Sequence, residues 1–140
     1  MKLKDQVVSL QLAKKLKELG INQKSLWRWQ YVGGIWEPTS LKKEFIEKNN
    51  SNPETFEAFS VAELGEMLPF KFMKEDFNDP FYLEIRKYSD NWIVDYYDSD
   101  DQWFKCGDIE DIKLSDAIAK MLIYLIENGF LKVEDVNVKP

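Results

Sequence analysis

The apolar residues of this chain change their spacing just past Ile21, and this change limits the possible folds more than any other feature. Upstream, apolar residues recur at steps of three or four, which is the period of an amphipathic helix: Val8, Leu12, Leu16 and Leu19. Downstream, aromatic residues occupy every second position, which is the period of a β-strand: Trp27, Trp29 and Tyr31. We therefore predict a helix over 9–19, ended by Gly20, and then a strand.

The glycine pair Gly33–Gly34 indicates that this strand turns back on itself. Both central positions of a tight hairpin turn need a positive φ, which glycine adopts without strain. The return strand begins at Ile35, and we expect it to stop at Pro38, which lacks a ladder donor. The sequence thus predicts a β-hairpin over 26–37, whereas the next stretch, 39–52, suits either a short helix or a loop.

Two more helices and a group of strands follow. The spacing of Ser60 and Glu63 is that of a capping box, which predicts a short helix over 60–68. Strong alternation of apolar and polar residues, broken by turn-rich stretches, predicts an antiparallel meander over 81–106, followed by an acidic connector. Apolar steps of three and four then predict the longest helix, 115–128, with its first residue, a serine, as the cap.

Strands that are grouped, rather than alternating one by one with helices, are typical of the α+β class. The chain has 140 residues, of which 44% are apolar, and this is enough for one hydrophobic core. We predict a single α+β domain over 1–140, with a mostly antiparallel sheet of about five strands. The hairpin and the meander form that sheet, and the three helices pack largely on one of its faces.

The composition excludes several kinds of chemistry. The chain has no histidine and a single cysteine, Cys106. Histidine-based acid–base catalysis, histidine zinc sites and an internal disulfide are therefore impossible. No glycine-rich loop is followed by the lysine and helix that a phosphate site needs. We expect no catalytic residues, no cofactor and no bound metal, and hence a protein that is not an enzyme.

Two groups of acidic residues bear on that expectation. Four aspartates lie close together in the meander: Asp95, Asp98, Asp100 and Asp101. They do not form an EF-hand calcium loop. Counted from Asp98, the sixth position of such a loop is Trp103 instead of glycine, and the twelfth is Ile109 instead of glutamate. Glu84 and Asp95 lie on strands that we expect to pair. Two paired carboxylates are enough for glycoside hydrolysis, so a hydrolase is our third hypothesis.

Charge is unevenly distributed along the chain, whose net charge is −6. Residues 1–30 hold seven Lys/Arg and two Asp/Glu, a net of +5, which leaves −11 on residues 31–140. Such an acidic molecule is repelled by nucleic acid and by anionic membranes, so we expect a protein partner. The chain starts with charged residues instead of a leader, and its longest apolar run, Met121–Ile126, is too short to span a membrane. We expect a cytoplasmic protein.

Aromatic residues are abundant, at 14% of the chain, and most of the tryptophans and tyrosines lie on predicted strands. A sheet that helices cover on one face leaves its other face open, so some of these rings should be exposed. Exposed aromatic patches mark recognition surfaces. We predict a surface that binds a protein partner or a second copy through these aromatic positions: Trp27, Trp29, Tyr31, Tyr82, Tyr88, Tyr97 and Trp103.

A DNA-binding alternative uses residues 12–29. A helix ending at Gly20, followed by apolar residues six and nine positions later, has the spacing of a helix-turn-helix. Lys24 and Arg28 would then face the phosphates or base edges of DNA. The alternating aromatic residues favour a strand instead. The two hypotheses differ in whether residues 23–29 are helical or extended.

Four blocks of the sequence resemble a family of small proteins of unknown function from phages, prophages and gut bacterial genomes. The blocks span most of the chain: residues 9–20, 25–29 with Trp36, 58–69 and 116–129. The resemblance implies a common fold and a phage or prophage context, and it brings no activity and no catalytic residues. We therefore expect a non-enzymatic accessory protein in the cytoplasm of a bacterial host, acting through protein contacts.

Overall fold

The computed structural model describes residues 1–40, 54–75, 77–98 and 105–138. Its helices are α1 (Leu10–Glu18), α2 (Val61–Met67), α3 (Leu114–Glu127) and α4 (Val133–Asn137), and a 3₁₀ turn, Leu3–Asp5, precedes α1. Its strands are β1 (Arg28–Val32), β2 (Ile35–Thr39), β3 (Phe56–Glu57), β4 (Lys71–Phe72), β5 (Phe81–Tyr88), β6 (Asn91–Asp98) and β7 (Lys105–Asp111). The strands form two antiparallel sheets, so the predicted α+β class is confirmed.

The prediction of one sheet is wrong, because the hairpin and the meander belong to different sheets. The first sheet has the order β2-β1-β3, and the second has the order β4-β5-β6-β7. Strands of two residues complete each sheet: Phe56 of β3 lies opposite Trp29, and Phe72 of β4 lies opposite Phe81. Such short strands have no alternating pattern, so the sequence gives no sign of them.

The hairpin turns at Gly33–Gly34, where φ is +64° and then +86°. Its strands pair in register as far as Arg28 opposite Thr39. β2 therefore runs through Pro38, although we expected it to stop there. An edge strand tolerates proline, because a backbone nitrogen that faces away from the neighbouring strand needs no hydrogen for the ladder.

β7 differs most from the predicted meander. The segment after Cys106, which we expected to be an acidic connector, continues as a strand to Asp111. The register of β6 and β7 shifts beside Gly107, whose φ is +101°, and this irregularity is a β-bulge. A Cβ atom on Gly107 would overlap the side chain of Met121 in α3. The glycine thus allows the strand to bend and the helix to approach it closely.

The predicted helices begin near their expected positions, but their caps differ. Ser60 caps α2: its hydroxyl accepts from the amide of Glu63 at 3.3 Å and donates to the Glu63 carboxylate at 3.1 Å. Ser9 precedes α1 without a side-chain cap bond, and its amide instead donates to a carboxylate of α3 at 2.7 Å. Ser115, which we predicted as a cap, is buried inside the first turn of α3, and Lys113 occupies the N-cap position.

The buried side chains form one hydrophobic cluster to which both sheets contribute. α3 is central to it: eight of its residues are buried, and α1, α2 and the second sheet all contact it. From the first sheet, Trp29 and Phe56 enter the same cluster. α4, which we did not predict, holds the chain after α1, because the Asn137 side chain donates to Gly20 and accepts from Asn22.

Candidate recognition surface on the second sheet

The second sheet has two different faces. On its inner face, Phe81, Val94 and Tyr96 are almost fully buried in the core. The cross-strand register places the other residues on what we call the outer face: Lys71 of β4, Tyr82, Glu84, Arg86 and Tyr88 of β5, Asn91, Ile93, Asp95 and Tyr97 of β6, and Lys105 and Glu110 of β7. The alternation along β5 predicts that Tyr82 and Tyr88 lie on the face opposite Phe81, and the strand register confirms this.

Three exposed aromatic side chains lie on or beside the outer face. Phe70, which precedes β4, is 67% exposed, and its ring lies 6.2 Å from that of Tyr82. Tyr82 is 38% exposed and lies directly opposite Tyr97. Tyr88, at the far end of β5, is 73% exposed. These rings give the outer face apolar surface that a partner can reach.

A cluster of polar side chains lies in the middle of the outer face. Asp95 is fully buried there, and its carboxylate accepts from the Tyr97 hydroxyl at 3.2 Å and from Arg86 Nη2 at 3.5 Å. Arg86 Nη2 also donates to the Tyr97 hydroxyl oxygen at 3.0 Å. Hydrogen bonds to charged groups are stronger than neutral ones, so these contacts hold the Tyr97 ring and the Arg86 guanidinium in place.

Two carboxylates of the outer face, Glu84 and Glu110, form no ion pair with any described residue. Both side chains are exposed. Glu84 lies directly opposite Asp95, whose own charge is balanced by Arg86. The outer face therefore combines exposed rings with two carboxylates that form no ion pair with a described residue, while its cations Lys71 and Arg86 contact the Phe70 ring and Asp95.

The hydrolase hypothesis depends on Glu84 and Asp95, and the register confirms that they are cross-strand neighbours. Asp95, however, is fully buried and bonded to two side chains, so it is not open to a substrate. Asp98 lies on the inner face, opposite the side of the sheet that carries Asp95, and Asp100 and Asp101 lie outside the described residues. Within the described ranges, no group of three acidic or cysteine side chains is placed to hold a metal ion.

The aromatic positions of the first sheet do not form a matching surface. Trp29 is buried, and its indole N–H donates to the carbonyl of Val8 at 2.9 Å, so the prediction that Trp29 belongs to a recognition surface is wrong. Tyr31 is 37% exposed near the hairpin turn, and Trp27 is half-buried beside an apolar cleft. Trp103 lies outside the described residues.

The helix-turn-helix alternative lacks its second helix. Residues 21–27 are not helical, and Arg28 begins strand β1. Arg28 Nε and Lys24 Nζ lie 3.4 Å and 3.9 Å from the same carboxylate oxygen of Glu57. The amide of Ser25 donates to the other oxygen of that carboxylate at 2.8 Å. Both cations thus lie near a carboxylate of their own chain, and although the Lys24 side chain is 76% exposed, neither residue lies on a helix that could enter a DNA groove.

Sequence reasoning missed Phe70, Arg86 and Glu110 as residues of this surface. Arg86 has a visible signal, because it alternates with the tyrosines of β5. Phe70 directly follows a proline at the end of α2, where no periodic pattern includes it. Glu110 lies in the predicted acidic connector, so the sequence does not indicate its position on a strand face.

Comparison of the chain with protein-family models, with curated proteins and with solved structures found no match. The resemblance to small phage and prophage proteins therefore stays a prediction. Over the residues that the structure describes, no helix combines the length and the apolar character that a membrane crossing requires.

Proposed function

We propose that the chain is a non-enzymatic protein-binding module whose outer face binds a cationic segment of a partner protein. The observation that carries the proposal is the combination of exposed rings at Phe70, Tyr82 and Tyr88 with the unpaired carboxylates of Glu84 and Glu110. Protein interfaces are enriched in aromatic residues and arginine, and such residues often dominate the binding energy.

Charge favours a cationic partner. A lysine or arginine side chain lies well over a tyrosine or phenylalanine ring while its charge pairs with a nearby carboxylate. The chain itself contains such ring contacts: Lys71 Nζ lies 5.4 Å from the centre of the Phe70 ring, and Lys14 Nζ lies 5.5 Å from that of Trp36. The net charge of −11 over residues 31–140 attracts a cationic segment from a distance and repels nucleic acid.

The rigidity of the outer face also supports the proposal. β5 and β6 pair over eight consecutive positions, and the contacts of Asp95 hold Arg86 and Tyr97 in fixed positions. A surface whose side chains are already ordered loses less conformational entropy when it binds. The outer face is therefore suited to recognition without rearrangement of its strands.

The resemblance to phage and prophage proteins supports placing this activity in the cytoplasm of a bacterial host, as that of an accessory protein. A second copy of the chain is the competing partner, because residues 1–30 carry a net charge of +5 and are themselves cationic. The experiment below separates the two partners.

The test is an NMR titration of the labelled protein with an extended peptide of about 12 residues that alternates lysine or arginine with leucine. We expect shift changes at the backbone amides of β5, β6 and β7. Glu84→Lys should weaken binding roughly tenfold, because it replaces an attraction by a repulsion. Glu134→Lys is the matched control, since it makes the same charge change at an exposed site on α4, and it should change binding less than about twofold.

The rings are tested by combining Phe70→Ser with Tyr82→Ser, which should weaken binding while the free energy of unfolding changes by less than about 1 kcal/mol. Tighter binding of an acidic peptide, or equal losses in Glu84→Lys and Glu134→Lys, would contradict the proposal. Light scattering addresses the second copy: a dimer that Glu84→Lys dissociates would make another copy of this chain the partner.

A further inference from the structure

The side of β5 that faces away from β6 is only partly covered. β4 pairs with β5 no further than Tyr82, and one more bond joins the amide of Leu83 to the carbonyl of Phe70 at 2.9 Å. β5 itself continues to Tyr88. In the part of the chain that the structure describes, no strand lies beside the remainder of β5 on that side. We call this stretch, 84–88, the open edge.

The backbone of the open edge directs hydrogen-bonding groups away from the sheet. Successive residues of a strand point their amide and carbonyl groups to opposite sides. The amide of Leu83 donates to the β4 side. The amides and carbonyls of Ile85 and Lys87 therefore point to that side too, whereas those of Arg86 point to β6. Ile85 and Lys87 thus provide two donors and two acceptors for another strand.

The charged side chains of the open edge do not cover it. Lysine and arginine often protect an edge strand from further pairing. Here both cations are turned toward β6 instead. Arg86 Nη2 donates to the Tyr97 hydroxyl oxygen at 3.0 Å, and Lys87 Nζ lies 5.3 Å from the centre of the Trp92 ring. Because Tyr97 and Trp92 both belong to β6, the space beside β5 stays accessible.

The other side chains of the open edge favour a cationic segment with alternating residues. On the outer face, Glu84 forms no ion pair with a described residue, and neither does Asp90 in the turn after β5. On the inner face, Ile85 is 40% exposed. A strand added here places its side chains alternately beside Glu84 and beside Ile85. Cations suit the first set of positions, and aliphatic side chains suit the second.

We infer that the partner's cationic segment binds by strand addition, pairing antiparallel to β5 along the open edge. The inference rests on the proposed function, because Glu84 takes part in both, and it specifies how the segment is held. Antiparallel pairing is the arrangement of every strand pair in the described part of this sheet. In strand addition, main-chain hydrogen bonds give affinity and the alternate side chains give specificity.

A second copy of the chain is a poorer occupant of the open edge. β4 and the residue before it occupy the space beside β5 up to Leu83, so two copies of β5 can pair symmetrically only about Arg86 or about Lys87. Either arrangement places two identical cations directly opposite each other, one from each copy. Like charges in that position are destabilising. A segment of another protein does not have this constraint.

The probe is a peptide of about 12 residues that alternates lysine with leucine. In the inferred pairing, leucines beside Ile85 direct their amides to β5, whereas the lysine amides point to solvent. N-methylation of three central leucines should therefore weaken binding at least about tenfold, as measured by calorimetry. N-methylation of three central lysines is the matched control, with the same composition and charge, and it should weaken binding less than about threefold.

The protein offers a second matched pair at Lys87. Lys87→Pro removes an amide that points away from β6, and an edge strand tolerates proline at such a position. Lys87→Thr removes the same charged side chain but keeps the amide. Lys87→Pro should weaken peptide binding at least about fivefold, and Lys87→Thr less than about twofold. In the native chain, the peptide should slow hydrogen exchange of the Ile85 and Lys87 amides at least about tenfold.

Equal effects of the two methylated peptides, a larger loss with the methylated lysines, or unchanged exchange at Ile85 and Lys87 would overturn the inference. If Glu84→Lys then still weakened binding more than Glu134→Lys, the proposed function would stand and the segment would lie across the outer face. Selective loss with the methylated leucines, but equal effects of those two variants, would support strand addition and contradict the proposed function. A dimer that Lys87→Pro dissociates would assign the open edge to a second copy and overturn the inference.

Discussion

The two sheets carry the same kind of aromatic alternation but use it differently. In the first sheet Trp29 is buried, and Lys17 of α1 lies over the ring of Phe56 at 4.8 Å. In the second sheet Phe81, Val94 and Tyr96 of the inner face are buried, while Tyr82 and Tyr88 of the outer face stay exposed. Alternation therefore identifies a strand, but it does not tell which of its faces the rest of the chain covers.

The helices that cover the two sheets explain this difference. α1 is amphipathic, and two of its lysines, Lys14 and Lys17, lie over aromatic rings of the first sheet. The apolar part of each lysine side chain covers the ring while its charge stays in water. α1 therefore covers apolar surface of the first sheet and remains hydrophilic. α3 is surrounded by α1, α2 and the second sheet, and eight of its 14 residues are buried. It packs against β6 and β7 of the second sheet, whereas Tyr82 and Tyr88 on the outer face stay exposed.

The largest effect that this comparison predicts is at Trp29. Trp29→Ala removes a buried indole and its hydrogen bond to Val8, and it should cost about 3–5 kcal/mol of unfolding free energy. Tyr88→Ala, at a ring that is 73% exposed, should cost less than about 0.5 kcal/mol. Urea unfolding followed by circular dichroism measures both values. Losses of similar size would mean that the two sheets do not differ in which rings are buried.

The bulge of the second sheet and the turn of the first allow a comparison of two glycines. Gly107→Ala should cost about 2–4 kcal/mol, because φ there is +101° and the new Cβ would overlap the buried side chain of Met121. Gly34→Ala meets similar backbone strain at +86°, but no atom lies within 4 Å of its Cβ, so we expect about 1–2 kcal/mol. Equal losses in urea unfolding would show that packing against α3 adds nothing at Gly107.

The fold class and most element positions could be predicted from the sequence, because they depend on local signals. The helical and alternating periods place α1, α2, α3 and β5 within one or two residues, and the glycine pair places the hairpin turn. The division into two sheets could not be predicted, because it depends on β3 and β4, which have two residues each. β7 was also missed beyond Cys106, since its bulge interrupts the alternation that identifies a strand.

The candidate site could be predicted only in part, for a related reason. The alternation of β5 places Tyr82 and Tyr88 on the face opposite the core, and their exposure agrees with that placement. Trp29 has an equally clear alternation and is buried, because the segment around Val8 packs against it from elsewhere in the chain. Arg86 alternates with these tyrosines in the sequence, but its hydrogen bond to Tyr97 across the sheet is known only from the structure. Long-range packing thus decides which aromatic residues remain available for binding.

Ser9 and Ser60, at the N-cap positions of α1 and α2, allow a comparison of how the two helices begin. Ser60→Ala should cost about 1 kcal/mol, because its hydroxyl bonds both the amide and the carboxylate of Glu63. Ser9→Ala should cost less than about 0.3 kcal/mol, because Ser9 makes no side-chain cap bond and its backbone amide bond to Asp116 is kept. Thermal unfolding of the two variants measures the difference, and a larger loss at Ser9 would contradict the assigned caps.

A smaller effect than that of Ser60→Ala is expected at the contact between β7 of the second sheet and α3. Partial burial acts to raise the pKa of Asp111, but hydrogen bonds from the Lys113 amide at 2.9 Å and the Lys120 ammonium at 2.6 Å outweigh it. The pKa of Asp111 in the folded chain therefore lies below its usual value of 3.8.

Because the folded state holds the Asp111 proton less tightly than the unfolded state, this group stabilises the fold above pH 3.8. The stabilisation decreases as the pH falls from 3.8 through the lower folded pKa. Asp111→Asn should thus cost about 0.5–1 kcal/mol at pH 7 and progressively less as the pH falls below 3.8, and Lys120→Gln should reproduce part of the loss. Urea unfolding across the acid range measures this difference. If the difference in unfolding free energy between the native chain and Asp111→Asn stayed constant down to the lowest pH, the carboxylate charge would not be what holds β7 to α3.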